Sequence, residues 1–157
     1  MRLFSWLLLL AIVNMATART VSLSPSALAA SSDGKVIYVA YAMANRVLCF
    51  DTARRKVVGS IAMPGSPSGL ALTTDGSRLF VTCAASESKV CVVDVARRKI
   101  IGSIPAGHTA LAPVISPDGK TLFVCNQFNN DVSVIDLAAK RQVPGRDNRL
   151  GGSLTEN

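Results

Sequence analysis

A repeat of about 42 residues dominates this chain. Asp-Gly pairs fall at residues 33–34, 75–76 and 118–119, at spacings of 42 and 43. A second aspartate follows each pair, Asp51, Asp94 and Asp136, at spacings of 43 and 42. Basic residues come next: Arg54, Arg55 and Lys56, then Arg97, Arg98 and Lys99, then the weaker pair Lys140 and Arg141. Three independent markers keep step, so chance is a poor explanation. A fixed period of about 20–50 residues means a solenoid, a propeller or an array. It fixes architecture and leaves activity open.

Aligned on the Asp-Gly pairs, each unit predicts strands and turns. Small, weakly polar strands precede the pairs at 27–31, 70–74 and 113–116. β-Branched and aromatic runs follow at 36–39, 79–82 and 122–125, residue types that suit a pleated surface. Polar loops at 43–46, 84–89 and 127–131 lead to third strands at 47–50, 90–93 and 132–135. Fourth strands follow at 57–61 and 100–104, and the third unit has no matching run. Gly34, Gly76 and Gly119 supply positive φ in tight hairpin turns that Asp33, Asp75 and Asp118 cap. Asp51, Asp94 and Asp136 end the third strands and open Asp-x-Ala turns. Their recurrence in every unit reads as structural rather than as carboxylate chemistry. Four short antiparallel strands make one propeller blade. The expected fold is therefore all-β, with about three four-stranded blades at roughly 24–64, 65–106 and 107–143. Aromatic residues are only 5% of the chain, so packing between blades must rest on Val, Ile, Leu and Ala.

The repeat resembles a known family. Tyr38-Val39-Ala40, Phe80-Val81-Thr82 and Phe123-Val124-Cys125-Asn126 are variants of a Tyr-Val-Thr-Asn tetrad. Residues 116–120 (Ser-Pro-Asp-Gly-Lys) and 132–136 (Val-Ser-Val-Ile-Asp) match the rest of that repeat. The chain is similar to the YVTN-family β-propeller proteins, relatives of lactonase-like and nitrite reductase haem-domain propellers. The resemblance runs from Ser24 to about Val143. It implies about seven blades, more than the roughly 2.9 repeats present, and propellers close with 4–8. The first unit departs from the tetrad, with Tyr41 where the third has Asn126. The expectation is the N-terminal part of a longer propeller, an incomplete ring. Closure by self-association through exposed blade faces is the alternative.

The ends carry different signals. Arg2, the apolar run at 3–13 and the Ala-Thr-Ala at 16–18 form a secretory signal peptide at 1–18. The run is too short for a bilayer core that needs about 20 apolar residues. The expected location is exported, periplasmic or extracellular, with no membrane span after cleavage. Residues 144–157 are glycine-rich and polar, an irregular tail without strand signal. The net charge of +7 does not, in an exported chain, suggest nucleic acid. It suits an anionic envelope polymer, an acidic protein partner or plain solubility.

Candidate sites are few. Eight basic residues in turns joining third to fourth strands would share one rim, either as an anion-binding arc or as solvated turn charges. His108, between the second and third units, is placed near a central channel, as a ligand or as a hydrogen-bonded loop residue. Asn126, Asn129, Asn130 and Asp131 form a polar cluster with too few carboxylates for calcium. Cys49, Cys83, Cys91 and Cys125 lack C-x-x-C spacing. They read as buried small hydrophobes or as export-compartment disulfide partners, and Cys83 and Cys91 flank one hairpin loop. No nucleophile–base pair, phosphate loop or zinc spacing occurs, so neither a metal nor a cofactor is expected. The leading expectation is a non-catalytic binding or scaffold module. The alternative is part of a redox-associated or lactonase-like propeller enzyme whose catalytic residues lie outside this chain.

Overall fold

A computed structural model describes residues 24–143; the expected signal segment and the tail at 144–157 lie outside the described residues. The strands are β1 (Pro25–Ala30), β2 (Val36–Tyr41), β3 (Arg46–Asp51), β4 (Lys56–Ala62), β5 (Pro67–Leu72) and β6 (Arg78–Cys83). They continue with β7 (Lys89–Asp94), β8 (Lys99–Pro105), β9 (Ala110–Ile115), β10 (Thr121–Asn126), β11 (Asp131–Asp136) and β12 (Arg141–Gln142). They form three four-stranded antiparallel sheets in sequential order, β1–β4, β5–β8 and β9–β12. Each sheet is one blade.

The Asp-Gly turns form as their residues dictate. Gly34 N–H donates to Ser31 C=O at 2.9 Å, and Ser31 N–H donates to Val36 C=O at 2.8 Å. Ser31 Oγ–H donates to Asp33 Oδ1 at 2.7 Å. The φ of Gly34, Gly76 and Gly119 is 69°, 69° and 70°. Asp33, Asp75 and Asp118 are not among the residues with positive φ. Each turn is therefore a type I turn followed by a left-handed glycine, not the mirror-image form with two positive φ values. Later in the first two units, Asp51 and Asp94 accept from the N–H of Arg54 and Arg97 at 2.7 and 2.8 Å, and in the third Asp136 accepts from Ala138 and Ala139 N–H.

The first strand of each blade starts earlier than expected. Pro25, Pro67 and Ala110 open β1, β5 and β9, in stretches whose Ser, Pro and Gly read as connection. A register shift interrupts each pairing with the second strand, so the first strand bends. These bent strands touch one another at the inner edge of the arc. Ser26 Oγ–H donates to Pro67 C=O at 2.7 Å, and Ser68 Oγ–H donates to Ala110 C=O at 2.6 Å. Gly69 admits the next blade: a Cβ there would lie 2.3 Å from Pro113 Cδ. The third unit does form a fourth strand, but β12 has only two residues, and Gln142 stands where the other units have Val57 and Ile100.

Two apolar seams hold the blades together. Tyr38, Ala40, Val47 and Ile61 of blade 1 pack on Leu79, Val81 and Val93 of blade 2. Phe80, Val92 and Ile104 of blade 2 pack on Leu122, Val124 and Ile135 of blade 3. Alternation along the strands sends one set of side chains to each seam. Among the described residues the outer faces have no such cover. Leu28 is exposed on blade 1, where Ile37, Val39, Leu48 and Phe50 are half-buried. Val114, Phe123 and Cys125 are exposed on blade 3.

Candidate functional site

Antiparallel order sorts the connections onto two rims. The Asp-Gly turns and the β3–β4, β7–β8 and β11–β12 turns share one rim; Thr52 Oγ–H, for example, donates to Gly34 C=O at 2.9 Å. The β2–β3, β6–β7 and β10–β11 loops and the connections between blades share the other. The first rim carries the surplus of Lys and Arg among the described residues. On the second, Arg46 and Lys89 face Glu87 and Asp131 in number.

The positive rim is less open than its basic residues suggest. Arg54 pairs with Asp51 at 2.8 Å, and Arg97 pairs with Asp94 at 2.5 Å. Lys35 pairs with Asp33 at 3.2 Å. Arg98 leaves its own blade: Nη1 donates to Val58 C=O of blade 1 at 3.0 Å, and its guanidinium lies over Gly59, where any Cβ would meet it at 2.6 Å. Arg98 is thus a staple across the outer part of the first seam. Arg55, Lys56 and Lys99 are exposed. Arg55, Arg98 and Lys140 all take positive φ, between 52° and 53°.

At the second seam the residue matching Arg98 is Lys140, and Gly102, which matches Gly59, has nothing within 4 Å of a built Cβ. On this rim a cleft of about 700 Å³ lies between blades 2 and 3. Phe80, Ile115 and Leu137 give it an apolar floor, and Arg78 and Lys120 stand in its walls with hydroxyls of Thr73 and Ser77. Two carboxylates also line it, but both are occupied. Asp75 accepts from Thr73 Oγ–H, Ser77 N–H and Ser77 Oγ–H, and Asp118 accepts from Ser116 Oγ–H and Lys120 N–H. The Thr73 hydroxyl, with the Ser77 donors, holds Asp75 down at about 2, and the Ser116 hydroxyl lowers Asp118 in the same way. These aspartates accept within their turns and stay ionised. Arg78 and Lys120 have no ion-pair partner within 4 Å among the described residues. The cleft can therefore take an anion bearing apolar substance. Sequence reasoning passed over Arg78. The signal was a break in the repeat, since Val36 and Thr121 occupy its position in the other blades.

His108 lies on the opposite rim, against the β10–β11 loop. Its N–H donates to Asn129 Oδ1 at 2.6 Å, and its ring meets Phe128 edge-on at 5.0 Å. The depression along the inner strands is lined by Ser26, Ser68, Leu111 and their neighbours, without His108. The polar cluster beside it is internally bonded: Asn126 Nδ2–H donates to Asp131 Oδ1 at 2.6 Å and to Ser133 Oγ at 2.9 Å. Among the described residues no group of three His, Cys, Asp or Glu side chains could hold a metal.

Cys49, Cys83, Cys91 and Cys125 are all free thiols. Cys83 and Cys91 are diagonal rather than opposed, since Cys83 faces Lys89 and Cys91 faces Val81. Their sulfurs are 3.9 Å apart, well beyond a disulfide bond of about 2.05 Å. The hydrogen bond to Cys91, with burial, pushes the Cys83 thiol up, while that bond and the Lys89 charge draw Cys91 down.

No family model and no curated protein matches the sequence. Solved structures do. Hydrazine synthase of Kuenenia stuttgartiensis superposes with a TM-score of 0.72 and 30% identity, over 82% of this chain and 37% of that one. U3-55K superposes at 0.67 with 14% identity, over 78% and 38%. A 6-phosphogluconolactonase-like protein of Bacteroides fragilis superposes at 0.65 with 21% identity, over 74% and 36%. The chain spans little more than a third of each. These neighbours range from enzymes to WD40 repeats, and what they share with this chain is architecture: the described residues are β-propeller blades.

Proposed function

We propose that these blades are an exported, YVTN-type propeller module that binds an anionic envelope polymer on the Asp-Gly rim without transforming it. The observation that carries this reading is the open second seam. There Arg78 and Lys120 have no ion-pair partner among the described residues and stand above an apolar floor, while the neighbouring carboxylates are already bonded within their turns. Exposed charges further apart than the Debye length, about 8 Å at 0.15 M salt, are largely screened. Binding is therefore centred on the cleft and is salt-sensitive, with Arg55, Lys56 and Lys99 contributing at longer range. The test is retention on an immobilised sulfated polysaccharide. Replacing Arg78 and Lys120 together with Gln should move elution to clearly lower salt, and replacing the ion-paired Arg54 and Arg97 should move it less. Equal shifts from the two pairs would sink the assignment to the cleft. Retention only by an acidic protein would change the partner class.

The 30% identity to a hydrazine synthase chain favours a second reading, in which the blades are one portion of an enzyme assembly. Native purification from the source organism decides it. Recovery only as a free chain removes this reading.

A further inference from the structure

We propose that Cys83 and Cys91 form a buried dithiolate site for a soft monovalent metal ion, Cu(I), reached from the rim opposite the cleft. The repeat gives the reason to regard this pair as built. Its register positions are those of Asn126 and Ser133 in blade 3 and of Tyr41 and Leu48 in blade 1. In blade 3 the two side chains also meet, through the 2.9 Å bond from Asn126 Nδ2–H to Ser133 Oγ. The blade geometry thus brings this diagonal pair into contact wherever both side chains are short enough.

The surroundings change with the pair. In blade 3, Asp131 accepts from Asn126 Nδ2–H at 2.6 Å, a carboxylate suited to an amide donor. In blade 2 the matching residue is Lys89, an ammonium suited to an anionic sulfur. Gly107 N–H donates to Asn126 Oδ1 at 2.9 Å, and its counterpart Gly65 lies beside Cys83. A pair of sulfurs and a cation have replaced an amide network at one place in the fold.

The site has an entrance and a donor set that suit a soft ion. A cavity of about 210 Å³, lined by Pro64, Gly65, Glu87 and Lys89, opens onto Cys83, whereas Cys91 is 1% exposed. Met63 belongs to the same buried cluster. Two thiolates suit Cu(I), while structural zinc takes four ligands. On binding, both S–H protons pass to solvent as two S–Cu bonds form. The complex carries one net negative charge, which Lys89 faces, and no electron is transferred. The diagonal offset, with sulfurs at 3.9 Å, favours an ion between them over a direct S–S bond.

The test uses the full, reduced chain in a Cys125→Ser background, which removes the exposed thiol. Cu(I) is shared with a chromophoric Cu(I) chelator, and the metal retained per chain is read from the chelator's absorbance. About one equivalent should stay with the parent. The variant Cys83→Asn/Cys91→Ser, which copies the blade 3 pair, should keep the parent's circular dichroism and retain at least tenfold less copper. Cys91→Ser alone serves if the double variant fails to fold. Equal retention by parent and variant, or no retention by the parent against the chelator, overturns the site.

Discussion

Tyr38, Phe80 and Phe123 occupy one position in three successive blades, and only what covers them differs. Tyr38 and Phe80 are 5% and 3% exposed within the two seams, and Phe123 is 38% exposed on the uncovered face of blade 3. Phe80→Ala removes a ring enclosed by Val92, Ile104, Leu122 and Val124 and leaves a cavity. Such changes cost about 3–5 kcal/mol, the transfer term plus the cavity term. Phe123→Ala loses only part of the roughly 1.5–3 kcal/mol of transfer energy of a fully buried Phe, because solvent already reaches the ring. It leaves no enclosed void, so about 1 kcal/mol is expected. Urea titrations at one protein concentration would measure both, with the slope m checked for constancy. Phe80→Ala should lower the midpoint several times more than Phe123→Ala. Equal losses would mean that another surface covers the Phe123 face, and the uncovered blade end would be wrong.

Other positions separate turn conformation from contact. Gly76→Ala meets no atom within 4 Å and takes φ 69°, so its loss should be purely conformational, about 1–2 kcal/mol in a thermal melt; tolerance like that of an ordinary surface site would refute the turn geometry. Arg55 and Arg98 share nearly the same positive φ, yet Arg55→Gly should be neutral or mildly stabilising and Arg98→Gly destabilising, because only Arg98 bonds the Val58 carbonyl. The same loss at both would remove the staple across the first seam. Asp33 and Asp75 titrate near 2, chiefly through the Ser31 and Thr73 hydroxyls, below the unfolded value of about 3.9. Their stabilisation is therefore present above pH 4 and is lost as pH falls from about 4 toward 2. Denaturation across that window should flatten in Asp33→Asn/Asp75→Asn, and an unchanged slope would contradict the assigned bonds.

The repeat was legible because its markers are local. A left-handed glycine after a capping aspartate, and β-branched runs of fixed length, need no knowledge of the neighbouring blade. Contacts between blades are non-local and left fainter traces. Pro67 and Ser68 look like linker, yet they begin β5, and Ser68 bonds a carbonyl 42 residues away. Arg98 reads like Arg97 in sequence, but one crosses a seam and the other pairs with Asp94 on its own turn. The cleft at Arg78 depends on what Lys140 fails to fill, and absence of a staple has no motif. Cys83 and Cys91 looked like the ends of a hairpin loop, and the register made them diagonal. In each case the informative residues are those that break the repeat.

An anion held in the second seam binds locally rather than along the whole rim. Backbone amide NMR shifts during titration with a sulfated oligosaccharide test it directly, at 0.15 M salt. Ser77, Arg78, Gly119 and Lys120 should shift together and saturate, while Gly34, Lys35, Arg54 and Arg55 move little. Equal shifts at Gly34 and Gly119, without saturation, would show diffuse attraction to the whole rim and contradict the cleft as the binding site.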